Sequence, residues 1–113
     1  MSDSVRDRRR NVRIVGPFEG TRPGGLVDMP LEIYDLSLGG CFVNSVHLAP
    51  HQGQIFTIHI ELPNGETLVA KGETAFVRPG FGYGVKFCPL SDENRMRLES
   101  ALEMLQHSGA AEG

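Results

Sequence analysis

Two groups of residues in this sequence have the types and spacing needed to bind a ligand that carries phosphate. Arg9 and Arg13 form an R-x-x-x-R pattern, and the segment from Asp35 through Ser37 to Gly40 reads D-x-S-x-x-G. Arginine donates paired hydrogen bonds to phosphate oxygens or to the O6/N7 edge of guanine. A carboxylate accepts the N1 and N2 donors of guanine, a hydroxyl donates and accepts, and glycine allows close backbone approach. Together these groups indicate a site for guanine plus phosphate, without catalysis.

The basic charge of the chain is concentrated at its N-terminal end. The formal net charge is −3, but residues 1–13 contain five arginines and two aspartates, a net +3, so the other 100 residues carry −6. Arg8 and Arg10 flank Arg9 and are expected to assist it, whereas Arg6 makes a second R-x-x-x-R with Arg10 and leaves the register open. A short basic arm of this kind can also be a solvated tail or a loose contact for polyanions.

Six short strands and one helix are predicted to position these residues. Alternation of apolar and polar residues indicates strands at 12–15, 31–36, 41–43, 54–62, 67–77 and 82–87. The pair Asn64-Gly65 predicts a hairpin, and the Gly- and Pro-rich stretch 16–25 predicts a loop or irregular hairpin. From Ser91 the apolar residues recur at helical spacing, which predicts an amphipathic helix with Ser91 as its N-cap.

These elements favour one mainly β domain, a small antiparallel barrel with a helix packed outside it or across one end. A length of 113 residues with 40% hydrophobic residues suits a single domain with a modest core. We expect residues 1–13 to be a flexible arginine-rich arm, residues 14–106 to be the barrel with its helix, and residues 107–113 to be a disordered tail. The glycines between 80 and 84 predict a turn, a bulge or close backbone approach.

Other residue types give little support for catalysis or metal binding. The chain has four histidines, His47, His51, His59 and His107. Pro50 separates the first two and disfavours a helical zinc pair, and the third is expected to face solvent from a strand. Ser37 is not in a G-x-S-x-G pattern, and no glycine-rich phosphate loop opens a helix. We therefore expect that the chain is not an enzyme and that it uses no metal and no cofactor.

The cysteine content and the apolar runs predict the compartment. Cys41 and Cys88 are expected to be packed, unpaired thiols, as is usual in a reducing compartment. A membrane span needs about 20 mostly apolar residues, and the longest apolar runs here are only a few residues long. The charged start of the chain lacks the features of a signal peptide. We expect a cytoplasmic monomer that does not insert into membranes.

The two motifs, taken in this order, resemble those of the PilZ family, cytoplasmic bacterial receptors for the second messenger cyclic di-GMP. The segments 9–13 and 35–40 fit the family's R-x-x-x-R and [D/N]-x-S-x-x-G motifs, with about 22 residues from the end of one to the start of the other. The last predicted strand and the terminal helix also fall where the family places them, so the resemblance covers residues 6–106. It implies a stand-alone PilZ domain, a six-stranded antiparallel β-barrel with one C-terminal α-helix.

The resemblance also implies roles for individual residues. Arg9 and Arg13 would contact phosphates and guanine edges, Asp35 and Ser37 would hydrogen-bond to guanine, and Gly40 would permit the turn. The remaining implied ligand-binding residues are the helpers Arg8 and Arg10. The 9/13 register is favoured over the 6/10 register because Arg13 leads directly into the first strand, as in the family.

The family implies a signalling mechanism as well. The arm docks on the barrel when cyclic di-GMP, often as an intercalated dimer, neutralises the arginines, and the reshaped surface engages an unidentified protein effector. Two alternatives stay open: a barrel whose basic arm binds RNA or DNA, and a ligand-independent module that binds only proteins. The acidic remainder, the absence of tryptophan and the lack of an evident array of exposed aromatics argue against nucleic acid as a partner.

Overall fold

The predicted barrel is present in the computed structural model, which describes residues 12–24, 26–46 and 48–112. Within those residues the chain forms six strands and one helix, namely β1 (Ile14–Arg22), β2 (Met29–Leu36), β3 (Gly40–Asn44), β4 (Ile55–Glu61), β5 (Thr67–Arg78), β6 (Gly82–Phe87) and α1 (Asp92–Glu112). All strand pairs are antiparallel, and the order around the closed barrel is β1-β2-β3-β6-β5-β4. The predicted fold class is confirmed.

The barrel interior is filled by apolar side chains at alternate positions of the strands. In β4, Phe56, Ile58 and Ile60 are buried, whereas Thr57 and His59 between them are half-buried. This is the pattern that a period of two produces when one face of a strand packs on a core. The buried apolar residues form one cluster, Ile33, Leu36, Cys41, Val43, Phe56, Ile58, Ile60, Leu62, Leu68, Ala70, Tyr83, Val85, Phe87, Leu98, Ala101 and Leu102.

Helix α1 is hydrogen-bonded to the barrel through its first two turns. The Ser91 hydroxyl accepts a hydrogen bond from the Asn94 N–H at 3.2 Å, which confirms Ser91 as the N-cap. The Asn94 side-chain oxygen accepts a hydrogen bond from the Val69 N–H at 3.0 Å, and the Arg97 guanidinium donates one to the Thr67 carbonyl at 3.2 Å. Both contacts join the helix to the beginning of β5.

The helix is longer than predicted. It continues to Glu112, although the sequence analysis ended the ordered domain at residue 106 and assigned residues 107–113 to a disordered tail. Ala110 and Ala111 have the highest intrinsic helix propensity and offset the unfavourable Gly109. The backbone of residues 107–112 is therefore helical in this structure.

Strand β1 extends through a segment that was predicted to be a loop. The glycines and prolines of 16–25 suggested a loop or irregular hairpin, but β1 runs to Arg22 and pairs with β2 along its length. The pairing register shifts between Val15 and Phe18. This bulge accommodates Pro17, whose missing N–H would otherwise interrupt the ladder.

The part of the chain that the structure describes bears on disulfides, metal sites and membrane spans. Within that part, Cys41 is a buried free thiol and Cys88 is a half-buried one. No group of three or more His, Cys, Asp or Glu side chains in the described residues could hold a metal ion. No helix among them combines the length and the apolar character needed to cross a membrane.

Candidate functional site

A pocket of about 810 Å³ lies on the outer face of the barrel, across β2, β3, β6 and β5. Four of its lining residues were predicted as ligand-binding residues from the sequence: Arg13, Asp35, Ser37 and Gly40. The pocket therefore brings the end of the arginine motif and the whole D-x-S-x-x-G motif to one place. The other predicted residues, Arg8, Arg9 and Arg10, lie outside the described residues.

A bulge in β2 turns Asp35 toward the pocket. The pairing of β2 with β3 shifts between Ile33 and Asp35, so the strand buries both Ile33 and Leu36. Strict alternation would have placed Asp35 on the same face as Ile33, inside the barrel. The bulge places the carboxylate on the outer face instead, and re-aiming a side chain in this way is a common use of bulges at functional sites.

The Asp35 carboxylate is held by two donors. Its Oδ1 accepts a hydrogen bond from the Phe42 N–H at 3.1 Å and one from Arg13 Nη1 at 3.0 Å. The Asp35 side chain is 16% exposed and that of Arg13 is 54% exposed. Because the Arg13 partner is largely solvated, its ion pair is worth at most about 1 kcal/mol and can be exchanged for a ligand at low cost. The Phe42 N–H holds the carboxylate independently of Arg13.

Ser37 organises the turn between β2 and β3. Its hydroxyl donates to the Gly40 carbonyl at 3.3 Å and accepts from the Gly39 N–H at 3.3 Å, and its own N–H donates to the same Gly40 carbonyl at 2.9 Å. The residue is 2% exposed. These contacts assign Ser37 a structural role in the motif, and its direct hydrogen bond to guanine stays a prediction.

Gly40 is required by close packing of two strands and not by a special backbone angle. A Cβ atom at this position would lie 2.0 Å from the Val85 carbonyl oxygen on β6. The described glycines with positive φ are others, at positions 53, 65, 80 and 82. The physical reason for glycine here therefore differs from the turn conformation that the family resemblance implied.

Replacing Gly40 with alanine is expected to lower the free energy of unfolding by about 1–3 kcal/mol, the usual cost of overpacking. Gly39→Ala is the matched control, because the nearest atom to its added Cβ would be the Ser37 hydroxyl oxygen at 4.0 Å, an ordinary contact. Urea denaturation of both variants measures the difference. Equal stabilities for the two variants would contradict this account of the motif glycine.

Three aromatic residues beside Asp35 were missed by the sequence analysis. Tyr34 and Phe42 meet edge to face with ring centroids 6.4 Å apart, and Phe42 and Phe76 are 6.1 Å apart with planes inclined at 30°. Tyr34 and Phe76 are exposed and Phe42 is half-buried, so aromatic side chains that were not evident from the sequence lie together beside Asp35. Phe76 was missed because a bulge between Thr74 and Phe76 reverses the alternation of β5 and turns the Phe76 ring out of the core.

Two basic residues in the pocket were also missed. Arg78 and Lys86 are exposed and line the pocket together with Arg13. The Arg78 guanidinium lies over the Phe76 ring at 5.6 Å from its centroid, a cation-π contact. Among the described lining residues the charged groups are these three cations and Asp35, so the pocket favours an anionic ligand.

Cys41 lies in the wall of the pocket but is not poised to react. Burial, together with the neighbouring Asp35 carboxylate, raises the pKa of the Cys41 thiol to about 12. The thiolate is the nucleophilic form, so a thiol with this pKa is inert at neutral pH. Cys41 is therefore a packing residue, as predicted.

Comparisons with solved structures give the same barrel in proteins of distant sequence. The inhibitor of motility MotI/DgrA of Bacillus subtilis matches with a TM-score of 0.73 and 16% identity, over 89% of this chain and 52% of that one. YcgR of Escherichia coli in complex with c-di-GMP matches with a TM-score of 0.74 and 19% identity, over 93% of this chain and 49% of that one. This chain thus spans about half the length of both proteins.

The isolated PilZ domain of E. coli YcgR with c-di-GMP is matched over nearly its whole length. Its TM-score is 0.71 at 17% identity, and the match covers 93% of this chain and 96% of that one. Comparison with curated protein sequences gives no significant match. The family model described as PilZ domain matches residues 4–103, which include both motifs and every strand of the barrel. The chain belongs to the PilZ domain family.

Proposed function

We propose that this chain is a receptor for cyclic di-GMP that binds the dinucleotide in the pocket on the outer face of the barrel. The observation that carries the proposal is the meeting of Arg13 and Asp35 in one pocket, at 3.0 Å, from motifs 22 residues apart. Two structural relatives, both forms of E. coli YcgR, were solved with c-di-GMP. PilZ domains are binding domains, and the proposed role includes no catalytic step.

Binding proceeds by an exchange of partners within the site. The guanine N1 and N2 donors take up the Asp35 carboxylate, while a phosphate oxygen takes up the Arg13 guanidinium. The Phe42 N–H keeps Asp35 in place, so the carboxylate is oriented before the ligand arrives. Arg9, with Arg8 and Arg10 as helpers, adds further donors from the arm that precedes Arg13. The surrounding cations Arg78 and Lys86 favour the dianionic ligand over neutral compounds.

The proposed output is a change of surface that a protein effector reads. The arm carries net +3 and the remainder of the chain net −6, so docking of the neutralised arm on the barrel changes the charge presented around the pocket. The shift is driven by the ligand's higher affinity for the docked state. We infer that the receptor acts in the cytoplasm, as a monomer that signals through this effector.

Titration of the 15N-labelled protein with cyclic di-GMP tests the proposed site by NMR. We expect the largest amide shifts at Phe42 and at Gly84, which line the pocket, and no shift at Asn94 or Arg97, which join the helix to β5. GTP at the same concentration is the control and is expected to cause much smaller shifts. Shifts confined to residues outside the pocket, or equal shifts with GTP, would contradict the proposal.

Single-stranded nucleic acid is the second candidate ligand, because the exposed rings of Tyr34 and Phe76, with the half-buried ring of Phe42 beside them, resemble a stacking platform. The net charge of −3 and the restriction of the described cations of the pocket to Arg13, Arg78 and Lys86 favour a small ligand over a long polyanion. A salt series decides between the two, since binding of an oligonucleotide depends steeply on salt. Tight oligonucleotide binding with no response to cyclic di-GMP would favour this second function.

A further inference from the structure

Three connections meet at one end of the barrel, because all strand pairs are antiparallel and β1, β3 and β5 run in the same direction. They are the segments that follow those strands, 23–28, 45–54 and 79–81. Five large apolar side chains described on them are at least 65% exposed, and we call these five the apolar rim: Leu26, Val27, Val46, Leu48 and Phe81. Exposed apolar side chains that share one place mark a surface that binds a partner.

The opposite end of the barrel shows that such exposure is not a general property of the connections. The segments there follow β2, β4 and β6, and their leucines, Leu38, Leu62 and Leu90, belong to the core or pack against it. Helix α1 contributes Leu98 and Leu102 to the same core. Among the described residues no element covers the apolar rim in this way.

Hydrogen bonds fix the connection after β3 beside the turn after β5. The Ser45 N–H donates to the Phe81 carbonyl at 2.8 Å, and the Ser45 hydroxyl donates to the Leu48 carbonyl. At the far end of the same connection, the Gly53 N–H donates to the Thr74 carbonyl at 2.7 Å. The backbone that carries this part of the apolar rim is therefore ordered before a partner arrives, which lowers the entropy lost on binding.

Charge is nearly absent from the three connections. They contain one charged residue, Asp28, in a chain of which 22% of the residues are charged. Two arginines border them, Arg22 at the end of β1 and Arg78 at the end of β5. The centres of protein interfaces are depleted of charged residues, and arginine is enriched at interfaces. The complementary surface on a partner is therefore an apolar patch bordered by carboxylates.

The apolar rim adjoins the proposed ligand site. Phe81 and Arg78 line the pocket, and Asn44 lines it from the last position of β3. A protein seated on the apolar rim therefore lies beside the pocket, where a bound ligand changes the surface that it contacts. The net charge of −3 opposes binding to an anionic lipid surface, so both observations favour a protein as the occupant.

We propose that the apolar rim is the docking surface for the protein effector, and that the effector presents an apolar patch bordered by acidic residues. The dependence of this docking on cyclic di-GMP rests on the proposed function. Leu26 and Leu48 do not line the pocket, so they serve the effector contact alone.

Affinity chromatography followed by titration tests the apolar rim. The chain is immobilised with saturating cyclic di-GMP, a soluble extract of its source bacterium is passed over it, and the retained protein is purified. The double variant Leu26→Ser with Leu48→Ser is expected to bind that purified protein at least about 30-fold more weakly, the loss caused by removing interface hot spots. Its affinity for cyclic di-GMP is expected to be unchanged.

Met96→Ser is the matched control. Met96 on α1 is 65% exposed and Leu48 is 66% exposed, so the two substitutions remove apolar side chains of equal exposure from different surfaces. We expect Met96→Ser to leave both affinities unchanged, and circular dichroism to show that every variant is folded.

Several results would overturn the apolar rim as the effector surface. Equal binding of the purified protein by the double variant and the unmodified chain is one of them, and retention of no protein by the unmodified chain is another. Sedimentation equilibrium in which only the unmodified chain self-associates would assign the surface to a second copy. Binding of the unmodified chain, but not of the double variant, to vesicles of phosphatidylcholine and phosphatidylglycerol would assign it to lipid.

Failure of the proposed function gives a different result. If the unmodified chain does not bind cyclic di-GMP but the purified protein still requires Leu26 and Leu48, the receptor role is overturned and the apolar rim is supported. If cyclic di-GMP binds and the double variant keeps its affinity for the purified protein, the apolar rim alone is overturned. Equal retention with and without cyclic di-GMP would overturn the dependence of docking on the ligand.

Discussion

Replacing Asp35 with alanine is expected to weaken the binding of cyclic di-GMP by at least about 30-fold, because loss of a desolvated charged partner at a binding site costs about 2 kcal/mol or more. The Asp35 carboxylate is 16% exposed and already oriented by the Phe42 N–H, so it offers the guanine a fixed acceptor. The affinity is measured by fluorescence or calorimetric titration, with circular dichroism to show that the barrel remains folded.

Two further variants make the Asp35 result specific. Glu32→Ala removes an exposed carboxylate from the same strand, outside the pocket, and is expected to change the affinity less than about 3-fold. Asp35→Asn keeps an oxygen that can accept the Phe42 N–H but lacks the charge and half of the acceptor capacity, so it is expected to bind weakly while remaining as stable as the unmodified protein. Full affinity in Asp35→Ala would show that the carboxylate does not contact the ligand.

Replacing Arg9 or Arg13 with alanine is expected to weaken binding by about 10- to 150-fold each, the value of a hydrogen bond to a charged group. Arg6→Ala is the matched control, because it removes the same charge from the same arm but breaks only the alternative 6/10 register. It is expected to weaken binding less than about 3-fold, the effect of one distant, screened charge. The comparison is made by titration at a fixed salt concentration.

Two patterns of results among the arginine variants would contradict the 9/13 register. If Arg6→Ala and Arg10→Ala weaken binding strongly while Arg9→Ala and Arg13→Ala do not, the arm uses the other register. If all of these variants weaken binding equally, the arm acts only through its net charge, and the bidentate contacts proposed for Arg9 and Arg13 are wrong.

Local signals in the sequence were sufficient for most of the barrel. The Asn64-Gly65 turn, the alternation of β4 and the Ser91 cap each depend on interactions between near neighbours, and the structure confirms all three. The complementary chemistry of the two motifs and the family resemblance also predicted that Arg13 and Asp35 belong to one site, and they meet in the pocket.

The errors arose where non-local pairing overrides the local pattern. The bulge at Pro17 lets β1 continue through a segment whose composition indicates a loop. The bulge before Phe76 reverses the face of a strand, so a ring that alternation would place in the core lines the site instead. Bulge positions depend on the partner strands, which a single sequence does not display. The position of the Phe76 ring in the pocket was therefore beyond the reach of periodicity, whereas the charged and hydroxyl groups of the site were not.

Isothermal titration calorimetry of the purified protein with cyclic di-GMP, with GTP and cyclic di-AMP as controls, tests the central claim most directly. The proposed site predicts selective binding at micromolar affinity or better, a binding free energy of about −8 kcal/mol, because Asp35 recognises guanine and the arginines bind phosphate. It also predicts one ligand, or one intercalated pair of ligands, per chain, because the pocket presents one Asp35 carboxylate. A folded sample that releases or absorbs no heat with cyclic di-GMP, or that binds all three nucleotides equally, would contradict the account.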